Sequence, residues 1–327
     1  MTTKPYMFDC LLVLADEQKN IIDRSLGDNE LTQTQVGEHA FINQMSVRLE
    51  QPLPEDTLIE YDLHLTHQDE RLSLSSVLPE ILYDGRDKPN FIIKQTLENI
   101  LHGSCRKPHS PCEDGLTEID LLFMSEDLSM KSRPSLLMLS GDQVYVDDVS
   151  GPMLSAVHQV IERLGLFNET WQNDSQTTDA ITTSLALFEH PNCYYQRHLF
   201  LPKDRVNKTL FERVFAASKK PVFTSVNARN HLVSLSEMIA MYFLSWSPTL
   251  WKMVDYQSSE FLRSEFKNTY QQELKAITKF VDELTPIRRA LAHIPTYMIF
   301  DDHDVTDDWN LTRGWKRPHM STHSQSA

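Results

Sequence analysis

Two stretches of the sequence, LLMLSGDQVY at residues 136–145 and TYMIFDDHD at residues 296–304, decide the fold. Each begins with a compact, mainly apolar run of the kind that forms a fully buried strand. Each run leads directly into polar residues, Gly141-Asp142 in the first stretch and Asp301-Asp302-His303-Asp304 in the second. In open α/β sheets, ligands bind just beyond the carboxyl ends of the strands. The two stretches therefore predict an α/β domain whose ligand site is formed by these two loops.

The residues before this domain predict a β-rich unit. Short apolar segments occur at residues 8–14, 40–49 and 58–65, and turn residues such as Pro52 and Pro54 separate them. Strands of this length, spaced by turns, are typical of a small antiparallel sandwich. We therefore expect a β-sandwich-like domain over residues 1–90 and the α/β domain over residues 91–327.

Between the two loops the pattern is mainly helical. Apolar residues from Leu262 to Leu284 recur every three or four positions, which predicts one face of a long helix. Pro286 is expected to stop this helix, because proline cannot continue the backbone hydrogen bonding. Residues 153–166 and 232–243 also predict helices. The expected result is a long helical insertion at about residues 150–290, which forms a wall over the site and limits the size of the substrate.

Composition and charge exclude several classes of function. The chain has 327 residues, of which 40% are apolar and 24% charged, as in ordinary globular proteins. Its net charge of -15 is a poor match for nucleic acid or an anionic membrane surface. No segment approaches the roughly 18 apolar residues of a membrane span, and the first residues do not resemble a signal peptide. The four cysteines are too sparse for a disulfide framework, so the cytoplasm is the default location.

The two acidic loops carry oxygen and nitrogen ligands of the kind that bind metal ions. The carboxylate of Asp142 can bridge two ions, the phenolate of Tyr145 can bind a ferric ion, and the second loop adds carboxylates and an imidazole. Such ligands suit Fe, Mn, Zn or Ca better than soft metals. Like charges packed together after a buried strand repel one another unless cations or donors compensate. The second loop is therefore the stronger indication, because a Gly-Asp pair is also common in turns and helix caps.

Other polar residues have a structural explanation. Cys105, taken alone, is more often a small buried hydrophobic residue than a ligand. Asp307 and Asp308 can cap a following turn. The polar cluster at residues 227–231 precedes a predicted helix, and we interpret it as the cap of that helix.

The motifs resemble those of a known family. SGDQVYVDD at residues 140–148 and FDDHDVTDDWN at residues 300–310 resemble the motifs of the PhoD-like alkaline phosphatases, which belong to the metallophosphoesterase superfamily. HGSCRK at residues 102–107 is similar to that family's early cysteine-bearing loop. The order and wide spacing of the motifs also match, over roughly residues 40 to 315. The resemblance implies a metallophosphoesterase-like α/β sandwich, here incomplete, preceded by a β-sandwich.

The resemblance also implies a role for each site residue. His303 stands at the position of a phosphate-facing, catalytic histidine. Cys105, Asp142 and Tyr145 would bind Fe³⁺. Asp142 would also bridge to a second, divalent ion. The resemblance favours Ca²⁺ as this ion, with Mn²⁺ and Zn²⁺ as alternatives. The remaining implied metal ligands are Asp302, at the position of a metal-binding Asn in the superfamily's GNH(D/E) motif, and Asp301, which would assist the second ion.

The implied activity is hydrolysis of a phosphate mono- or diester by a metal-bound hydroxide. His303 would stabilise the developing charge or protonate the leaving group. Members of the family are often exported, which makes a periplasmic or secreted location the alternative to the cytoplasm.

The superfamily needs further histidine ligands after the second motif. Only His319 and His323 follow His303, and neither comes after an apolar run. The resemblance thus implies a chain truncated at its C-terminus, which lacks half of the α/β domain and leaves an unpaired sheet edge. Two alternatives to an active phosphoesterase stay open. One is a non-catalytic remnant that binds metal or a partner, and the other is a split enzyme whose missing half comes from a second chain.

Overall fold

A computed structural model of the chain describes residues 1–125, 128–171, 181–201, 227–307 and 309. Over these residues the protein is a mixed α/β structure with three sheets. Its strands are β1 (Met7–Leu14), β2 (Lys19–Ser25), β3 (Leu31–Gly37), β4 (Ala40–Met45), β5 (Leu58–His67), β6 (Glu70–Ser73), β7 (Asn90–Ile92), β8 (Ile100–Gly103), β9 (Leu136–Leu139) and β10 (Thr296–Met298). Its α-helices are α1 (Leu74–Val77), α2 (Thr117–Met124), α3 (Gly151–Leu164), α4 (Ser184–Phe188), α5 (Leu235–Trp246) and α6 (Ser264–Leu291). Asp308, His319, His323 and the parts of the predicted insertion at residues 172–180 and 202–226 lie outside the described residues.

The N-terminal residues form an antiparallel sheet of five strands. Strands β2, β1, β5 and β6 lie in that order, and β7 also pairs with β5. Alternate residues of β1, among them Phe8, Cys10 and Leu12, are buried, because successive side chains of a strand point to opposite faces. Strands β3 and β4 form a separate two-stranded sheet. The strands expected at residues 8–14, 40–49 and 58–65 correspond to β1, β4 and β5.

The second sheet is parallel and has the order β10-β9-β8. Leu137 and Leu139 of the central strand point to one face, where they pack against Ile119 of α2 and Ala290 of α6. Because the three strands run in the same direction, the loops that follow them lie at one edge of the sheet. The sequence predicted β9 and β10 at this position, and the structure adds β8 beside them.

The helices between β9 and β10 form the main apolar core. Residues Met153, Leu154 and Val157 of α3 are buried against side chains of α5 and α6. The expectation that Pro286 ends the long helix was wrong, since α6 continues to Leu291. Proline inside a helix costs about 3 kcal/mol. The turn that follows buries Ile287 and Ala290, and we attribute the continuation to this packing.

Strand β10 has no neighbour on its outer side among the described residues. Four consecutive apolar residues, 297–300, are between 48% and 65% exposed there. A run that is apolar on both faces is typical of a strand inside a parallel sheet, yet this one lies at the edge. No helix among the described residues is both long enough and apolar enough to cross a membrane.

A buried histidine joins the N-terminal sheet to the end of α6. The Nδ1 atom of His293 accepts a hydrogen bond from the backbone N–H of Asn90 at 3.2 Å, and its Nε2–H donates to the carbonyl of Ile81 at 2.9 Å. Both bonds together require the neutral imidazole. Burial lowers the pKa of His293 to about 4.

This junction predicts a loss of stability in mild acid. In the unfolded chain the histidine binds a proton near pH 6.5, whereas in the folded protein it does so only near pH 4. Stability therefore falls as the pH drops from about 6.5 to about 4, by up to about 3 kcal/mol from this group. We expect urea unfolding of His293→Gln to lack this component, since glutamine does not titrate. Equal pH slopes for the variant and the wild type would contradict the assignment.

Candidate metal centre

The loops after β8, β9 and β10 meet at the carboxyl edge of the parallel sheet. They carry Cys105, Asp142 and Asp301 respectively. Backbone hydrogen bonds join the first two loops, from the N–H of Cys105 to the carbonyl of Gly141 at 3.1 Å and from Ser140 to Gly103 at 2.9 Å. The three stretches singled out in the sequence are therefore neighbours in space.

Gly141 allows the loops after β9 and β10 to approach closely. Its φ angle is +139°, a conformation that side chains disfavour. A Cβ atom at this position would lie 2.7 Å from the Cβ of Asp301. Both the backbone angle and the contact require glycine here.

Three carboxylates form the centre of the site. Asp142, Asp301 and Asp302 each offer one oxygen, and these oxygens lie within 4.8 Å of one another. Asp142 is only 6% exposed, and its Oδ1 atom has no hydrogen-bond partner among the described residues. A buried carboxylate oxygen without a partner costs free energy, and a cation would compensate it. The donor set therefore fits a metal ion with a preference for oxygen ligands.

Tyr145 and Cys105 lie beside Asp142. The hydroxyl of Tyr145 donates to Oδ2 of Asp142 at 3.2 Å. Burial raises the pKa of Tyr145 above its ordinary value, and the neighbouring Asp142 and Cys105 raise it further. The phenol is thus neutral unless a cation supplies positive charge. The role of each residue as a metal ligand stays a prediction.

His303 lies next to these residues and is held by a buried carboxylate. Its Nδ1–H donates to both oxygens of Asp147, at 2.9 and 3.0 Å, and Asp147 is fully buried. Its ring lies 4.6 Å from that of Tyr145. The hydrogen bond to Asp147 raises the pKa of His303 to about 9. The geometry therefore fixes the ring and leaves Nε2 as the nitrogen that can face a substrate.

Sequence reasoning assigned no role to Asp304, which ties the two acidic loops together. Its Oδ1 accepts hydrogen bonds from the N–H of Val144 at 3.1 Å and the hydroxyl of Tyr242 at 2.7 Å. Its Oδ2 accepts from the N–H groups of Gln143 at 3.1 Å and Asp301 at 2.9 Å. The contact between Asp304 and the N–H of Asp301 could have been predicted from the sequence, because the two residues have the spacing of a capping box.

Asp148 links the loop after β9 to the loop after β8. It forms an ion pair with Lys107, and its Oδ1 lies 3.2 Å from Nε2 of His109. Burial alone would raise the pKa of Asp148, but hydrogen bonds from His109 and Lys107 hold it at about 2. The carboxylate therefore stays charged and keeps the two loops together.

The interpretation of residues 227–231 as a helix cap was wrong. Ser234 caps α5 in a capping box with Glu237. Instead, Asn230 donates to the carbonyl of Val149 at 2.9 Å, and Nε2 of His231 lies 2.9 Å from the hydroxyl of Thr306. These residues connect the helical region to the loops of the site.

Comparisons with known proteins give little further information. No family model and no curated protein matches the chain. A solved structure titled "Structure of PhoD" is similar with a TM-score of 0.31 and 10% sequence identity, over 93% of this chain and 33% of that one. The chain thus spans about a third of the length of that structure's chain. A TM-score this low does not establish a shared fold, so the functional proposal rests on the geometry of the site.

Proposed function

We propose that the chain forms the site of a metal-dependent phosphoesterase that hydrolyses phosphate mono- or diesters. The observation that carries this proposal is the buried Oδ1 of Asp142, which has no hydrogen-bond partner among the described residues and belongs to a group of three carboxylates. His303 lies beside this group and is oriented by Asp147. The transfer of a phosphoryl group needs positive charge near the phosphoryl oxygens and a proton for the alkoxide that leaves. Cations bound by the carboxylates would supply the first, and the protonated imidazole of His303 would supply the second.

We assign two ions to the site as part of this proposal. Cys105, Asp142 and Tyr145 would hold Fe³⁺, and the carboxylates of Asp142, Asp301 and Asp302 would hold a second divalent ion. Ca²⁺ is our first choice for the second ion because its ligands are all oxygens, with Mn²⁺ and Zn²⁺ as alternatives. When bound, such ions polarise phosphoryl oxygens and lower the pKa of coordinated water.

The protein's own residues would orient the substrate and move a proton. The Nε2–H of His303 would donate to an oxygen of the phosphate ester and protonate the leaving alkoxide. Asp147 accepts the Nδ1–H bond and stabilises the imidazolium, which carries a proton on both nitrogens and so has the Nε2–H that this transfer needs. Asp304 would keep the loops of Asp142 and Asp301 at a constant separation, since it binds backbone N–H groups of both.

The test is a combined measurement of metal content and turnover on the purified chain. We expect bound iron and a second metal by elemental analysis, and hydrolysis of p-nitrophenyl phosphate or bis-p-nitrophenyl phosphate. Absence of both bound metal and turnover in the presence of iron and calcium would refute the proposal for this chain. Bound metal without turnover would favour the non-catalytic alternative or a split enzyme. The apolar residues 297–300, exposed at the edge of the parallel sheet within the described part of the chain, are the feature that a second chain would cover.

Asp147→Asn is expected to lower kcat by about 10- to 100-fold with little change in metal content. The amide cannot stabilise a protonated His303 as the carboxylate does, although it fills the same space. Steady-state kinetics together with elemental analysis measure both effects. Asp16→Asn is the control for the loss of one aspartate charge, because Asp16 is exposed in a turn of the N-terminal sheet. A loss of kcat in Asp147→Asn no larger than that in Asp16→Asn would contradict the role of Asp147.

A further inference from the structure

A cavity of about 780 Å³ lies against the candidate metal centre. It shares Cys105, Gly141 and Gln143 with the loops of the site. Its volume falls within the range of about 300–1,000 Å³ that is typical of pockets for small molecules. A ligand in this cavity would therefore lie beside Cys105 and the turn at Gly141, which directly precedes Asp142.

The wall of the cavity is mainly apolar. Strands β8 and β9 form one side, and helices α2 and α6 form the others. Their contributions include Leu101, Leu137, Leu139, Ile119, Leu122 and Phe280. Trp246 of α5 adds a second aromatic ring. A surface of this kind binds an apolar group by removing it from water.

The charges around the cavity disfavour an anionic ligand. Its two cationic residues form ion pairs, Arg106 with Asp114 at 2.6 Å and Lys107 with Asp148, although Nη2 of Arg106 has no hydrogen-bond partner among the described residues. The guanidinium of Arg106 also lies over the ring of Trp246, at 4.5 Å. The other ionisable acidic residues of the wall are Glu113, Glu118 and Glu283. With Asp114 the wall has four carboxylates against two cations, and Lys279 pairs with Glu113 at 3.0 Å and with Glu283 at 3.9 Å. A nucleotide or a sugar phosphate with several charges would therefore meet no excess of positive charge in the wall.

We propose that this cavity binds the alcohol part of the substrate and that this part is a neutral, apolar group such as an aryl-alkyl chain. The inference rests on the proposed function, since it places the phosphate of the same molecule at the metal centre. The substrate class is then a phosphate ester of an apolar alcohol. The apolar wall supplies affinity for the alcohol, and the excess of carboxylates over cations in the wall disfavours polyanions.

Binding is tested without turnover by isothermal titration calorimetry with 2-(1-naphthyl)ethanol, which carries no phosphate. We expect saturable binding to the wild type. Ala276 lies in the wall on α6, so Ala276→Phe should fill the cavity and weaken binding at least tenfold, which corresponds to about 1.4 kcal/mol. Gln272→Phe is the matched control, because Gln272 is exposed on the same helix and does not line the cavity. No saturable binding to the wild type, or equal binding to folded Ala276→Phe, would overturn the proposal.

Turnover then separates the substrate class from the proposed function. The substrates are 2-(1-naphthyl)ethyl phosphate and ethyl phosphate, whose leaving groups are both primary alcohols. We expect kcat/KM to be roughly 10- to 200-fold higher for the naphthyl compound, and this preference should disappear in Ala276→Phe. Equal values for the two substrates in active protein would overturn the substrate class and leave the phosphoesterase function intact. Naphthylethanol binding without hydrolysis of either ester would refute the proposed function, while the cavity would still be a site for apolar ligands.

Discussion

Asp142→Asn is expected to remove bound metal and to lower kcat/KM by more than about 100-fold. The expected loss is larger than the loss of about 10- to 100-fold that follows when a residue hydrogen-bonded to a metal ligand is removed. Asp142 is the buried member of the carboxylate group, and its Oδ1 atom has no other partner among the described residues. The amide is nearly the same size but carries no charge, so it would bind a cation poorly. Elemental analysis and steady-state kinetics on the same preparation measure the two losses.

Stability measurements separate a role in metal binding from a structural role. Without metal, the carboxylate of Asp142 is buried, and one of its oxygens has no partner in the part of the chain that the structure describes. Asp142→Asn should therefore leave the metal-free protein at least as stable as the wild type. Added metal should raise the melting temperature of the wild type only, because an ion that binds the folded state stabilises it. Asp16→Asn, at an exposed turn, is the control for the loss of one charge. A variant that unfolds more easily without metal would show that Asp142 mainly supports the loop.

Local sequence pattern was sufficient to predict the two strands and the loops that follow them. Strands β9 and β10 are short apolar runs, and the residues with metal-binding chemistry come directly after them. Once both strands lie parallel in one sheet, their loops must meet at the same edge. Asp142 and Asp301 could therefore be placed together from the sequence, although Gly141 could not be identified as the residue that permits their close contact.

The supporting residues could not be predicted, because their partners lie far away along the chain. Asp147 and His303 are separated by 156 positions, and Asp304 binds Val144 over 160 positions. In the sequence, Asp147 and Asp304 are two aspartates among several in acidic segments. Only the folded chain distinguishes a carboxylate that binds backbone N–H groups from one that faces the site. The same reason explains the wrong interpretation of residues 227–231, whose polar side chains bind distant loops instead of the adjacent helix.

A buried ion pair in the helical region is expected to have the largest effect on stability. Arg197 and Glu237 are both fully buried, and Nη2 of the arginine donates to Oε1 of the glutamate at 2.7 Å. Oε2 of Glu237 also accepts from the N–H groups of Val233 at 2.9 Å and Ser234 at 3.1 Å. Although burial alone would raise it, Arg197 holds the pKa of Glu237 well below its ordinary value, so the carboxylate stays charged.

Arg197→Met should therefore lower the free energy of unfolding by about 3–5 kcal/mol, because it leaves the buried charge of Glu237 without its arginine, with His158 at 2.9 Å and backbone N–H groups as the remaining partners. Lys279→Met is the matched control. Lys279 forms an ion pair of 3.0 Å with Glu113, but the two side chains are 45% and 79% exposed, and pairs of this kind contribute only about 0–1 kcal/mol. Urea unfolding at neutral pH gives both values. Equal losses in the two variants would contradict the importance assigned to the buried pair.

The double variant Arg197→Met, Glu237→Gln tests whether the pair or each residue alone carries this stability. If the cost comes from an unpaired buried charge, the double variant should be more stable than the sum of the single changes predicts, by about 0.5–3 kcal/mol.

The pair is also connected to the candidate site. Nη1 of Arg197 donates to the carbonyl of His231 at 2.9 Å, and the next residue, Leu232, donates from its N–H to the carbonyl of Val146 at 2.8 Å. Val146 precedes Asp147, so loosening this segment should also lower turnover in the folded fraction of Arg197→Met, whereas Lys279→Met should keep the wild-type kcat.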